Sequence, residues 1–155
     1  MHIILRLIVI VFLAILSSCS QNHQAKDSKL ALLKTTNPNP VITDKKKNSD
    51  GVEEIKKDVS EMPELYDVAV IKGKKDTLVV YKVKHLHRFR MKQIEKNVNK
   101  MLEKKYPKEN FTVSSDYKIF LEAVRLDERM KSKKFTHKDA ENRFKEIVKM
   151  TEELK

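Results

Sequence analysis

Three structurally decisive residue types are nearly missing: the chain of 155 residues has one cysteine, two glycines and no tryptophan. With Cys19 alone no intrachain disulfide can form, so any folded part must stand on its apolar core. Gly51 and Gly73 are isolated, which excludes a glycine-rich loop of the kind that cradles phosphates. Long apolar runs are also lacking. The longest unbroken one, Leu7–Leu16, falls short of the roughly 20 residues a bilayer span needs. Acidic residues are in deficit, 22 Asp and Glu against 33 Lys and Arg, which leaves a net charge of +11. Charged residues make up 35% and apolar ones 40%, which is polar for a globular protein but too apolar for a chain disordered throughout.

The apolar run is informative for what surrounds it. Arg6 precedes it and small residues follow it, the order of a secretory signal peptide. As a core helix it would need protein on every side. Leu16-Ser17-Ser18-Cys19 resembles the bacterial lipobox, a branched apolar residue and two small residues before an invariant cysteine. That resemblance implies cleavage after residue 18 and a diacylglycerol on the Cys19 thiol; two acyl chains hold a protein stably where one holds it only marginally. The expected organisation is a lipoprotein signal peptide over 1–18, a lipidated cysteine and polar tether over 19–50, and a folded domain over 51–155. The tether assignment rests on "TTNPNP" and "DKKKNSD", with Pro38 and Pro40 blocking a helix. The expected location is the extracytoplasmic face of the cell membrane.

Charge is unevenly placed. Between Lys72 and Lys108 there are 13 Lys or Arg and 3 Asp or Glu, a net +10, while the rest of residues 51–155 sums to −3. Such a bias points to an anionic partner. For an exported chain that means anionic lipid or wall polymer, with nucleic acid not expected.

Period then sets the elements. Val52, Ile55 and Val59 form one stripe of a first helix that Pro63 ends. "LYDVAVIK" and "TLVVYKVK", separated by a turn at Gly73, read as a β-hairpin; its second strand is apolar on both faces and therefore central. "HRFRMKQIEKNVNKMLEKKYP" is the clearest helix, with Met91, Ile94, Val98, Met101 and Leu102 on its apolar side and Lys92, Lys96, Lys100 and Lys104 opposite. "NFTVSS" reads as a strand. A helix capped at Ser115 or Asp116 should bury Ile119, Phe120, Ala123 and Val124. The last helix, capped by Thr136 with Asp139, carries Phe144, Ile147, Val148 and Leu154. The expected class is α+β: a small sheet of about three strands, helices packed on one face, in a BON-like αββαβα order over 51–130 plus a C-terminal helix over 136–155.

Sharper chemistry finds little support. His85 and His87 would share a face on a strand, but they lie among Lys82, Lys84, Arg88 and Arg90, which repel a metal ion. Ser114, Ser115, Asp116 and His137 make a triad only on paper, since no nucleophile elbow surrounds any serine. Glu53/Glu54 and Glu152/Glu153 are adjacent on helices and point apart. Tyr81 and Phe89 interleave with cations as on a nucleic-acid surface, yet core packing accounts for them equally well. No catalytic residue, metal or cofactor is therefore expected. The candidate site is an anionic-surface patch of Arg88, Arg90, Lys92, Lys96, Lys100 and Lys104, with Cys19 as the lipid attachment point.

The succession "EEIKKDVSEMPELYDVAVIKGKKDTLVVYKV", "QIEKNVNKMLEKKYP" and "NFTVSSDYKIFLEAV", behind a lipobox and polar spacer, resembles the YhcN/YlaJ family of sporulation lipoproteins. The likeness covers about residues 51–130. It implies a membrane-anchored or coat-associated protein of a spore-forming bacterium, with a binding or structural role in spore formation or germination and no established catalytic activity. The alternative is a general envelope lipoprotein that binds anionic wall polymer or membrane surface.

Overall fold

β-strands apolar on both faces cannot sit at a surface, and two such strands organise this molecule. The structure, a computed structural model, describes residues 38–43, 50–132 and 134–154; Cys19, the expected signal peptide and most of the expected tether lie outside them. The elements run β1 (Val41–Ile42), α1 (Asp50–Ser60), β2 (Leu65–Lys72), β3 (Asp76–Val83), a 3-10 segment (His85–Arg90), α2 (Met91–Lys105), β4 (Asn110–Ser114), α3 (Tyr117–Met130) and α4 (His137–Glu153). The fold is α+β, with one four-stranded sheet in the order β1-β2-β3-β4. The hairpin pair β2/β3 is antiparallel, and each edge strand runs parallel to its neighbour.

Helices cover both faces of this sheet, which corrects the expected one-face arrangement. Ala69, Ile71, Leu78 and Val80 pack under α3 and α4, through Ile119, Phe120, Ala123, Val124, Phe144 and Ile147. Val68, Val70, Val79, Tyr81 and Val83 pack under α1 and α2, through Val52, Ile55, Val59, Ile94, Val98 and Leu102. The physical reason is the strand pattern itself: a near-continuous apolar run needs cover on each side. α4 is therefore not an appendage to a core ending at residue 130, because it roofs half of one face. A register shift between Leu65 and Asp67 lets Leu65 join the α1/α2 layer and turns Tyr66 outward.

The domain also begins before residue 51. Val41 and Ile42 add a fourth strand, pairing with Ile71 and Lys72. The prolines that exclude a helix here hold the chain extended, which suits an edge strand. Both helical layers grip the segment. Lys56 of α1 donates to the Pro38 carbonyl at 2.6 Å, and Thr43 donates to Glu141 of α4 at 2.6 Å. Burial pushes the Lys56 ammonium below its ordinary range. At the hairpin turn, a Cβ on Gly73 would lie 2.3 Å from the ring of Phe144. Glycine is thus required there by the close approach of α4 to the turn.

A fragment starting at Lys34, the start of the compact unit, should unfold cooperatively. One starting at Asp50 loses β1, which uncovers buried Ile71 and leaves the Lys56 ammonium without its carbonyl. It should be less stable by about 2–4 kcal/mol, measured by urea unfolding; equal midpoints would return residues 38–43 to the tether.

Candidate functional site

The lysine ridge is a consequence of helical geometry. Ile94, Val98 and Leu102 recur every fourth residue on α2 and are fully buried. Lys92, Lys96, Lys100 and Lys104 recur with the same spacing, offset by two residues, which places them about 200° round the helix. Burying one ridge therefore presents the other to solvent over about 18 Å of helix. All four lysines are exposed. Glu95 and Glu103 flank them, but among the described residues no ion pair joins either acid to the ridge.

Four other cations of the basic segment are paired with acids. Lys72 pairs with Glu109, Lys82 with Asp67, Arg90 with Glu64 and Lys105 with Asp58. Every one of these acids comes from outside the segment. Burial would raise the Asp58 carboxyl, but hydrogen bonds from Lys105 at 2.7 Å and Tyr106 at 2.6 Å hold it below the usual carboxylate range. Of the six candidate cations the structure thus places four on one ridge, leaves Arg88 exposed at the helix approach, and engages Arg90 with Glu64 at 3.7 Å.

Two hollows adjoin these residues. One of about 620 Å³ opens between α2 and the end of α4, over the outer edge of β4. It is lined by Lys92, Glu95, Lys96, Ser114, Thr151 and Leu154, among others. Its charge is mixed, so it is no dedicated anion pocket. Leu154, expected in the core, is half exposed on its wall. The second, about 400 Å³, is lined by Tyr66, Lys82, Val83, Arg88, Met91, Ser115 and Tyr117.

Lys82 forms the floor of the second hollow, and in the sequence it is only one more lysine of "YKVK". It is buried and 3.0 Å from Asp67, its cross-strand partner. Its ammonium lies 4.3 Å from the centre of the Phe120 ring, 5.4 Å from Tyr117 and 5.7 Å from Tyr66. Three aromatic faces and one carboxylate thus hold a desolvated cation at the end of the sheet. The signal in the sequence is Asp67, an acid inside an apolar strand.

The paper triad does not assemble. Asp116 accepts from the backbone of Lys118 and Ile119 and so caps α3, while Ser114 accepts from Asp116 N–H. His137 lies with Nδ1 3.0 Å from the Thr43 carbonyl, at the β1 edge of the sheet, whereas the serines stand at the β4 edge. His85 and His87 fall in the 3-10 segment instead of a strand, and there i and i+2 point apart. Among the described residues no group of three or more His, Cys, Asp or Glu is close enough to hold a metal ion. Tyr81 is core, but Phe89 is not: it is 83% exposed.

Asp67→Asn should cost about 3–5 kcal/mol in chemical denaturation, because it leaves the Lys82 charge buried without its counter-ion. Asp67→Leu combined with Lys82→Met should recover most of that loss. If the single substitution is neutral, the pair is not the desolvated unit described.

No family model, no curated protein and no solved structure matches this chain.

Proposed function

We propose that this protein is a non-enzymatic envelope lipoprotein, anchored through Cys19, whose folded domain binds an anionic surface. The observation that carries the reading is the α2 ridge: four exposed lysines, free of ion pairs among the described residues, beside a set of cations that are neutralised. Near an anionic surface each lysine contributes about 1 kcal/mol, and screening limits that to charges within about 8 Å at physiological salt. A straight row on one helix can bring all four within that distance at once. The resemblance to YhcN/YlaJ sporulation lipoproteins supports a role in spore formation or germination, at the membrane or coat of a spore-forming bacterium. The ridge by itself supports equally a general envelope protein that holds wall polymer or lipid.

With the Lys34–Lys155 fragment, changing Lys92, Lys96, Lys100 and Lys104 to Glu should lower affinity for anionic vesicles or wall polymer at least about a hundredfold. Thermal unfolding should stay unchanged, since no ridge residue is buried. Wild-type binding should fall steeply with salt. Equal sedimentation of the two fragments would mean the lysines serve only solubility. For the anchor, Cys19→Ala in the full chain should release the protein from membranes or leave uncleaved precursor; unchanged processing and retention would remove the lipoprotein reading. Appearance of the protein only during sporulation, followed with a tagged copy, would favour the sporulation role over the general one.

A further inference from the structure

The segment between β3 and α2 is built unlike the rest of the surface. None of its residues, His85–Arg90, is buried. Leu86 is 80% exposed and Phe89 83%, the two most exposed large apolar side chains among the described residues. A 3-10 helix has three residues per turn, so residues three apart eclipse. Leu86 and Phe89 therefore stack on one side of the segment. His85 and Arg88 stack on the second side and His87 and Arg90 on the third. Lys84 and Lys92 stand just outside the two ends, and residues 83–94 contain no acid at all. Single exposed apolar residues need no explanation. Two stacked ones, projecting from a loop and ringed by cations, form a defined surface.

The geometry points to insertion of this loop into the interfacial region of an anionic lipid bilayer, with Leu86 and Phe89 among the acyl chains and Lys84, Arg88 and Lys92 at headgroup level. The inference rests on the anionic-surface reading above and names its partner. Three observations favour lipid. A soluble wall polymer would be met by the cations but would leave Leu86 and Phe89 in water. A second copy of this chain would bring two identical cationic rims together, which repel. And the adjoining hollow presents half-exposed Tyr66 and Tyr117 beside Met91 and Arg88; tyrosines, with an apolar ring and a polar tip, suit the headgroup boundary. Apolar insertion and attraction to anionic lipid add together in binding of this kind.

The chain has no tryptophan, so Phe89→Trp in the full chain installs a single reporter at the tip. On vesicles of phosphatidylcholine with phosphatidylglycerol its emission should shift to the blue and be quenched by lipids brominated on their acyl chains. On phosphatidylcholine alone it should stay as in water, even where the amino-terminal segment holds the chain on the vesicle. A control variant, Asn142→Trp at an exposed position of α4, should report water in both. In the Lys34–Lys155 fragment, Leu86→Ser with Phe89→Ser should reduce the binding that survives about 1 M salt, where the Debye length is about 3 Å, by about tenfold or more. A tip reporter that stays in water on anionic vesicles overturns the inference. If the four-lysine variant still loses binding in that case, the anionic-surface reading stands without insertion; if it does not, both fall. A blue shift that grows with protein concentration in the absence of lipid would assign the tip to a second copy and would equally overturn the proposal.

Discussion

Everything in this domain follows from a hairpin with no polar face. Val68 and Val70 point one way and Ala69 and Ile71 the other; on the partner strand Val79, Tyr81 and Val83 oppose Leu78 and Val80. A strand whose side chains alternate between apolar and polar can be covered once and left wet. This one cannot, because each exposed Val or Leu would forfeit about 1.5–3 kcal/mol of burial. Two helices on each side are the solution. α1 and α2 bracket it closely in the chain, while α3 and α4 follow β4 and fold back over the opposite face. The demand for apolar cover is strong enough to bury Tyr81 completely, although its hydroxyl finds no hydrogen-bond partner among the described residues. Burial, with the nearby Glu95 carboxylate, raises that hydroxyl well above the ordinary tyrosine range.

A core so largely apolar sends most charges to the periphery, and their division there is not even. Cations at strand and helix ends meet acids across the fold: Lys72 meets Glu109, Lys82 meets Asp67 and Lys105 meets Asp58. Between the two helices of one face, Glu122 is clamped by Arg125 and Arg143, which ties α3 to α4. Burial opposes ionisation of Glu122, but hydrogen bonds from the two guanidiniums outweigh it and hold the carboxyl below its usual value. This clamp therefore contributes stability above the ordinary carboxylate range and loses it as pH falls through the depressed value. Among the described residues no comparable partner reaches the α2 ridge.

Much of this architecture is legible in the sequence because it is periodic. The four helices, the hairpin, the strand with Phe111 and Val113 inward, the Asp116 cap and the Thr136–Asp139 capping box all announce themselves over several residues. What the sequence conceals is local or relational. β1 has two residues, too few to show any period, and only its pairing with Ile71 and Lys72 makes it a strand. That the helices divide between two faces is implicit in the doubly apolar β3, yet the side each helix takes depends on how the chain crosses the sheet, which periodicity does not record. Lys82 is concealed because burial of a lysine depends on where Asp67 and Phe120 arrive. The 3-10 segment reads in sequence as the first turn of α2, since six residues hardly distinguish a period of 3 from one of 3.6.

The site gathers at one end of the sheet for a topological reason. β3 and β4 are parallel, so both finish at the same end, and β2, antiparallel to β3, begins there. The loop after β3, the turn after β4 and the first residues of β2 must therefore converge: Arg88 and Met91 from the first, Ser115 and Tyr117 from the second, Tyr66 from the third. Ligands of open α/β sheets bind outside the carboxyl ends of strands for the same reason. Here the convergence places half-exposed tyrosines and a cationic loop together without any of them having to leave the core, because none was ever in it. Of the cations that line this hollow, Lys82 sits inward, fixed by Asp67 and three rings. It supplies a rigid floor from which the 3-10 segment, three residues further along the same strand's exit, can project.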